Sequence, residues 1–304
     1  MSLRYLPVEV LSEILSLAFA DNANLCDILC LNSKILAISK LIIHSEIKFL
    51  SYRQLHSFSS GKDPLCCAPR SVTLILPGGA THLDVFADLK RALIRCNRNR
   101  SDETGPLDAL RLQLHTHTRD PNLHHISDAL SVADPKNFVW SGPDPVHHFS
   151  IAIVSQAVRH LVHAISAWSQ IQHIKLTNVA FPVNDAKDYV SKHLFLNAIP
   201  SLRTVLLGKV AFLSVYAVAG TVCDHGMTNL EQVRLVDAYS ESIWGRRMRR
   251  SDVEKAGLDL LAMGLLCGTS GDDIIARVTS VVVCEVETER IQGGDRIEGS
   301  RILF

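Results

Sequence analysis

Three stretches of the chain share one pattern: IQHIKLTNVAF at residues 171–181, LRTVLLGKVAF at 202–212 and LEQVRLVDAYS at 230–240. Each begins apolar-x-x-apolar-x-Leu, and LDALRLQLH at 107–115 fits the same frame. The three copies start 31 and 28 residues apart, a spacing typical of a repeat built from one strand and one helix. The pattern therefore predicts that the same structural unit occurs several times.

The chain from residue 70 to residue 304 alternates between such strands and amphipathic helices. Strands are predicted at 72–76, 110–114, 138–140, 171–176, 202–207, 230–236 and 278–284. Helical stripes include Phe86, Leu89 and Leu93, and a further stripe around Tyr189 and Val190. Regular alternation predicts an α/β fold with parallel strands, either doubly wound or a solenoid. Because the pattern repeats, we favour an irregular leucine-rich-repeat solenoid with outer helices, in which each unit buries its apolar stripe only by stacking on its neighbours.

Residues 1–58 follow a helical rather than a strand pattern. In LPVEVLSEILSLAF at 6–19, apolar side chains recur every three or four residues, and Pro7 suits the first turn of a helix. Further apolar runs at 25–31 and 35–42 predict short helices as far as about Gly61. Gly61 and two prolines then separate this segment from the strand–helix alternation.

The N-terminal segment resembles the F-box family. Its members begin with Leu-Pro, then Glu and paired apolar residues, with Ile-Leu about seven residues after the proline. The residues at those places, which the resemblance implies to be adaptor-binding, are Leu6, Pro7, Val10, Leu11, Ile14 and Leu15. The likeness extends weakly through LCDILCLNSKILAISKLIIHSEIKFLSYRQL at 25–55.

The resemblance implies a function that requires no catalysis. F-box helices bind a Skp-type adaptor and thereby a cullin–RING (SCF-type) ubiquitin ligase, while a C-terminal repeat domain binds the target protein. One alternative is a repeat scaffold with no link to a ubiquitin ligase, in which the helical segment only caps the first repeat. An enzyme on an α/β fold is a third possibility, with less support.

Composition argues against several classes of function. Lysine plus arginine equals aspartate plus glutamate, 31 each, so bulk charge predicts neither a nucleic-acid partner nor a membrane surface. The first residues lack the pattern of a secretory signal, and the eight cysteines form no regular framework. We therefore expect free thiols and a cytoplasmic or nuclear protein.

Motifs for catalysis or for a cofactor are weak. Cys223-Asp224-His225 has the residue types of a thiol catalyst, but adjacent residues do not converge as a triad does. No G-x-G-x-x-G, P-loop or G-x-S-x-G sequence occurs, so we expect neither a cofactor nor an enzyme. Four arginines between Arg246 and Arg250 predict a solvated loop, with an anion site or a nuclear import signal as alternatives.

Strand alternation predicts which residues face away from the core. In the shared frame the leucine-type positions point inwards, so the residues between them share the opposite face of the sheet. The predicted partner-binding residues on that face are Arg111, His173, Lys175 and Arg234, with Thr204, Leu206 and Gln232 beside them. This local excess of positive charge predicts an acidic or phosphorylated protein segment as partner.

The histidines give a testable prediction about metals. Nine of the 14 lie between His115 and His173, but no segment supplies three or four ligands at the spacing of a zinc site. We expect elemental analysis of the purified protein to find no stoichiometric zinc or iron. About one metal ion per chain would contradict this and direct attention to His115, His117, His160 and His163.

Overall fold

Eight strands form one sheet in which every strand runs parallel to its neighbours. The computed structural model of the protein describes residues 6–21, 25–78, 82–98, 106–143, 150–183, 196–266, 268–288 and 301–304. The strands are β1 (Glu46–Phe49), β2 (Ser71–Ile75), β3 (Leu107–Gln113), β4 (Pro135–Ser141), β5 (His173–Ala180), β6 (Thr204–Ala211), β7 (Gln232–Ala238) and β8 (Val282–Glu285). Their order across the sheet is their order along the chain.

The connections between successive strands place their helices on one face of this sheet. The described helices are α1 (Val8–Asp21), α2 (Leu25–Leu29), α3 (Ser33–Ser45), α4 (Tyr52–Ser60), α5 (Val85–Asn97), α6 (His125–Leu130), α7 (Ser155–Ile165), α8 (Val215–Val222), α9 (Arg250–Ala262) and α10 (Gly271–Val281). Every connection steps to the next strand in the same direction, and because crossovers between parallel strands are right-handed, such steps keep their helices on one side. The α/β class with parallel strands is confirmed, and the absence of a reversal in strand order excludes the doubly wound arrangement.

The inward-facing side chains of the strands lie in two rows across the sheet. The first row consists of Ile47, Val72, Leu110, Phe138, Ile174, Val205, Val233 and Val282. The second consists of Phe49, Leu74, Leu112, Trp140, Leu176, Leu207, Leu235 and Cys284. All sixteen side chains are buried in a single core with the stripes of the helices. The inward positions of the repeated frame are thus confirmed.

Three successive strands share an unusual backbone conformation. Asn178, Lys209 and Asp237 are buried and have φ angles of 63°, 50° and 49°. The residues before and after each of them in the sequence are paired across β5, β6 and β7. The three residues therefore occupy the same position in their strands. Non-glycine residues seldom adopt positive φ, and asparagine and aspartate do so most readily. The same local geometry therefore recurs in the three segments that share the sequence frame.

The helical segment at the N-terminus has a small core of its own. Leu11 and Leu15 of α1 pack with Ile35 and Ile38 of α3, and this cluster is separate from the large core under the sheet. The Asn32 side chain begins α3 by accepting a hydrogen bond from the Ile35 N–H at 2.9 Å. We call α1, α2 and α3 the helical lobe.

The prediction of helix as far as Gly61 was wrong at β1. Glu46–Phe49 pairs with β2, and α4 belongs to the large core, where Phe49 and Phe58 lie 5.2 Å apart between ring centroids. The four-residue strand alternates exposed and buried side chains. A period of two is hard to recognise over four residues when apolar helices flank it on both sides. Residues 46–58 therefore pack with the sheet although they were assigned to the helical segment 1–58.

The C-terminal region also differs from the prediction. The strand expected at 278–284 begins only at Val282, because α10 continues to Val281. Ser270 and Asp273 form a capping box that starts α10. Residues 301–304 then pair with β8 in antiparallel orientation, with the Leu303 N–H donating to the Cys284 carbonyl at 2.8 Å, so the edge of β8 is covered. The helix predicted around Tyr189 lies outside the described residues.

Adjacent leucines on β6 test the assignment of the two faces. Leu207 is fully buried in the core, whereas Leu206 lies on the opposite face. Leu207→Ala should lower the free energy of unfolding by about 2–5 kcal/mol, because it leaves a cavity in a packed core. Leu206→Ala should change it by less than about 1 kcal/mol. Urea unfolding followed by circular dichroism measures both; equal losses would contradict the assignment.

Candidate interaction surfaces

Helix α1 carries two apolar stripes with different surroundings. Leu11 and Leu15 are buried against α3, so these two predicted adaptor-binding residues hold the lobe together and are not available to a partner. Val10, Ile14 and Leu17 are 42%, 39% and 65% exposed. With the exposed Pro7 they recur at three- and four-residue intervals, which places them on one side of the helix.

The exposed stripe consists of Pro7, Val10, Ile14 and Leu17. Leu17 was not predicted, although its spacing from Val10 and Ile14 could have revealed it. Leu6 is half-buried, and its carbonyl accepts a hydrogen bond from the Lys34 ammonium at 3.4 Å. The predicted stripe of six is therefore only partly exposed.

The second surface is the face of the sheet opposite the helices, where one row of residues carries positive charge. The register aligns this outer row as Lys48, Thr73, Arg111, Val139, Lys175, Leu206, Arg234 and Val283. Lys48, Arg111 and Lys175 are exposed. The predicted placement of Arg111, Lys175 and Arg234 on one face is confirmed, while their binding of a partner stays a prediction.

Two details of this row differ from the sequence analysis. Arg234 forms an ion pair with Glu285 of β8, its Nη2 lying 2.6 Å from a carboxylate oxygen, and this carboxylate raises the pKa of the arginine. Arg234 is therefore already neutralised. Lys48 was missed because its strand was predicted to be helical, and the alternation in EIKF was the signal that could have identified it.

His173 lies in the neighbouring row of the same face. Its register partners are Asn137 on β4 and Thr204 on β6. The imidazole is half-buried, and its Nδ1 lies 2.8 Å from the Thr204 hydroxyl oxygen. His173 thus borders the basic row while being held by its neighbour on the sheet.

A cluster around Asp88 has the residue types of a catalytic triad. The buried Asp88 carboxylate accepts hydrogen bonds from the Ser59 hydroxyl at 2.6 Å and from His56 Nδ1 at 3.0 Å, and it is also paired with Arg91. Both Ser59 and His56 contact the carboxylate, so the imidazole does not stand between the hydroxyl and the acid as a triad requires. The cluster joins α4 to α5.

The other residues considered for catalysis or metal binding are Cys223, Asp224 and the histidines. Burial raises the pKa of the Cys223 thiol, and the adjacent Asp224 accepts a hydrogen bond from the Gly226 N–H at 2.7 Å in a turn. Burial, followed by the charge of His124, lowers the pKa of His160. Among the residues in the described ranges, no group of three or more histidines, cysteines or acids is arranged to hold a metal ion.

The arginine cluster near α9 is engaged within the molecule. Arg246 pairs with Asp252 at 2.5 Å and Arg250 with Glu254 at 3.2 Å. Arg247 is buried, and its Nε lies 2.9 Å from a carboxylate oxygen of the equally buried Asp237. That carboxylate also accepts from the Thr288 hydroxyl and N–H, so the pair fixes the loop after β7 to the segment after β8. These contacts give the cluster a structural role within the fold.

Comparisons with known proteins yield no relative. The chain matches no family model, no curated protein and no solved structure. In the described part of the chain, every helix is too short or too polar to cross a lipid bilayer. The two surfaces are therefore the features of the molecule that bear on its function.

The Asp88 cluster predicts a pH-dependent contribution to stability. Burial alone would raise the pKa of Asp88, but hydrogen bonds from Ser59, His56, Tyr52 and Arg91 outweigh it and lower the pKa from 3.8 to about 2. Because the pKa of Asp88 is lower in the folded protein than in the unfolded chain, the ionised carboxylate stabilises the fold at pH values above about 3.8. This stabilisation is lost as the pH falls from about 3.8 towards 2. Asp88→Asn removes it.

Urea unfolding of the wild type and of Asp88→Asn at several pH values provides the test. The difference in free energy of unfolding between the two proteins should shrink by roughly 2 kcal/mol between pH 5 and pH 2. Comparing the two proteins cancels the contributions of the other carboxylates. A difference that stays constant over this range would contradict the assigned role of Asp88.

Proposed function

We propose that the chain is a non-catalytic substrate-recognition subunit of a cullin–RING ubiquitin ligase. The helical lobe would bind a Skp-type adaptor. The rest of the chain, from β1 onwards, is here called the sheet domain; as an irregular leucine-rich-repeat solenoid it would bind the target protein in the cytoplasm or the nucleus. The observation that carries the proposal is the exposed stripe on α1, which lies beside the buried stripe that already holds the lobe together. The F-box resemblance of the same residues gives this stripe its adaptor.

The exposed stripe has the properties of a docking surface. It runs from Pro7 to Leu17, about 15 Å along the helix. Contiguous apolar surface of this kind on a soluble protein usually marks an interaction site. Because Leu11 and Leu15 supply the packing on α3, the exposed side chains are not needed to keep the lobe folded. Their apolar character is thus better explained by a partner.

A non-catalytic role is part of the proposal. Ser59 and His56 lie in a contact that joins α4 to α5, and Cys223 fills the core, so these three side chains with nucleophilic or acid–base chemistry occupy structural positions. Recognition of a target needs only a surface, and the outer face of the sheet offers one. Arg111, Lys175 and Lys48 on that face favour an acidic target.

A scaffold without a ligase remains the second candidate. It is favoured by the firm attachment of α3 to the sheet domain, where the Cys66 N–H donates to His44 Nδ1 at 2.9 Å and the Arg70 N–H donates to the Ser45 carbonyl at 2.7 Å. A lobe attached in this way could serve only to cap β1. However, the apolar residues of the lobe form their own cluster, and α4 covers the large core beside β1.

Charge substitutions in the exposed stripe separate the two candidates. Val10→Asp with Ile14→Asp should abolish capture of a purified Skp-type adaptor, because carboxylates would be buried in an apolar contact. Leu15 is unsuitable for this test, since its substitution would damage the lobe's own core. Ile275→Asp on α10 is a matched control, because Ile275 is 39% exposed, as Ile14 is. The control should bind the adaptor normally.

Thermal melting followed by circular dichroism should show that both variants remain folded. A wild-type chain that does not bind the adaptor would exclude the receptor function and leave the scaffold. Unchanged binding by the Val10→Asp, Ile14→Asp variant would show that the exposed stripe is not the docking surface. Unfolding of the entire chain by the same two substitutions would indicate that the lobe is a cap.

A further inference from the structure

The positive charges of the outer row occur on every second strand. Lys48 lies on β1, Arg111 on β3, Lys175 on β5 and Arg234 on β7, and the register places all four in one row. Neighbouring strands are about 4.8 Å apart, so successive cations are about 9.5 Å apart. Because Arg234 is paired with Glu285, the available cations are Lys48, Arg111 and Lys175, which span about 19 Å.

The neighbouring rows contain no acid between β2 and β7. The row on one side consists of Ser71, Ala109, Asn137, His173, Thr204 and Gln232. The row on the other side consists of Ile75, Gln113 and Ser141, followed by Thr177, Gly208 and Val236. Acids occur only at the two ends, as Glu46 beside Lys48 and Glu285 beside Arg234. Asp108 of β3 is bound to Arg70 and Lys136 by ion pairs of 3.0 Å.

The spacing of the cations distinguishes between the two partners that the sequence predicts, a segment with carboxylate side chains and a phosphorylated segment. A phosphate dianion is bound best where two or more cationic groups converge on its oxygens. Here the cations are single charges held about two strands apart, so they do not converge. A row of separate single charges instead matches separate carboxylates.

We propose that this face binds a protein segment with a glutamate or aspartate at every third residue, lying across the strands in a polyproline II conformation. That conformation has three residues per turn and a rise of about 3.1 Å per residue, so every third side chain projects from the same side about 9.3 Å further on. A β-extended segment would place side chains of one side about 6.8 Å apart and would not match.

The residues between the cations fit the same ligand. Thr73 separates Lys48 from Arg111 and Val139 separates Arg111 from Lys175, and both side chains are half-buried on the outer face. They offer shallow apolar contacts to the prolines or other apolar residues between the acids. The inference deepens the proposed target recognition but does not depend on adaptor binding by the helical lobe.

A pair of peptides tests the spacing. The first is a fluorescein-labelled peptide of three Glu-Pro-Pro units with blocked ends, and the second has the same composition with its three glutamates adjacent. Fluorescence anisotropy at low salt and at about 0.15 M salt gives both affinities, and the added salt should weaken binding because the charges are exposed. The spaced peptide should bind more tightly than the permuted one. Equal binding, or no binding of the spaced peptide at low salt, would overturn the proposal.

Substitutions locate the binding surface. Arg111→Gln with Lys175→Gln should weaken binding of the spaced peptide roughly tenfold, because two exposed ion pairs are lost. Arg53→Gln with Lys255→Gln removes the same two residue types from exposed positions on α4 and α9 and should leave the affinity unchanged. Equal weakening by both double variants would overturn the proposal by showing an effect of net charge alone.

The outcome is separable from that of the proposed function. The Val10→Asp, Ile14→Asp variant should bind the spaced peptide as tightly as the wild type does, whether or not it captures an adaptor. Loss of peptide binding in that variant, with the sheet domain still folded, would contradict the assignment of the site to the sheet.

Discussion

Side chains from all eight strands meet in two continuous apolar rows beneath the sheet, and no strand–helix unit could bury its share of them alone. Stacking in chain order is the arrangement that buries both rows and keeps the helices on one side. The opposite face then carries none of the helices in the described part of the chain. The core thus accounts for the exposed surface: the alternation that directs Leu207 inwards directs Leu206 and Lys175 outwards.

Much of the fold could be predicted because the repeated frame encodes this alternation directly. Strands β2 to β7 were predicted from their apolar positions, and the parallel arrangement from the helices between them. The errors at β1 and α10 have a common physical cause: a short apolar run satisfies both helical and strand periodicities. Residues 46–49 form a strand because they pair with β2, which is a tertiary contact. Helix α10 forms because Ser270 caps it, which is a local polar contact.

The candidate surfaces could be predicted in outline only. Side chains alternate between the two faces along a strand, so sequence spacing alone predicted the face on which Arg111, Lys175 and Arg234 lie. It could not reveal that Arg234 is neutralised by Glu285, which is 51 positions further along the chain. Helical spacing likewise identified Val10, Leu11, Ile14 and Leu15 of α1, although Leu17 was missed. The division of these residues into a buried and an exposed stripe depends on how α3 packs against the helix.

The alternation of cations along the sheet also determines how this surface could change during evolution. A row with positive charge on every second strand repeats over two strand–helix units, although the core repeats over one. Duplication or deletion of a single strand–helix unit would preserve the core. It would, however, break the alternation of the cations, because those before the changed unit and those after it would no longer be separated by an even number of strands. Duplication of an adjacent pair would preserve both, so the natural module of this surface is a pair of repeats.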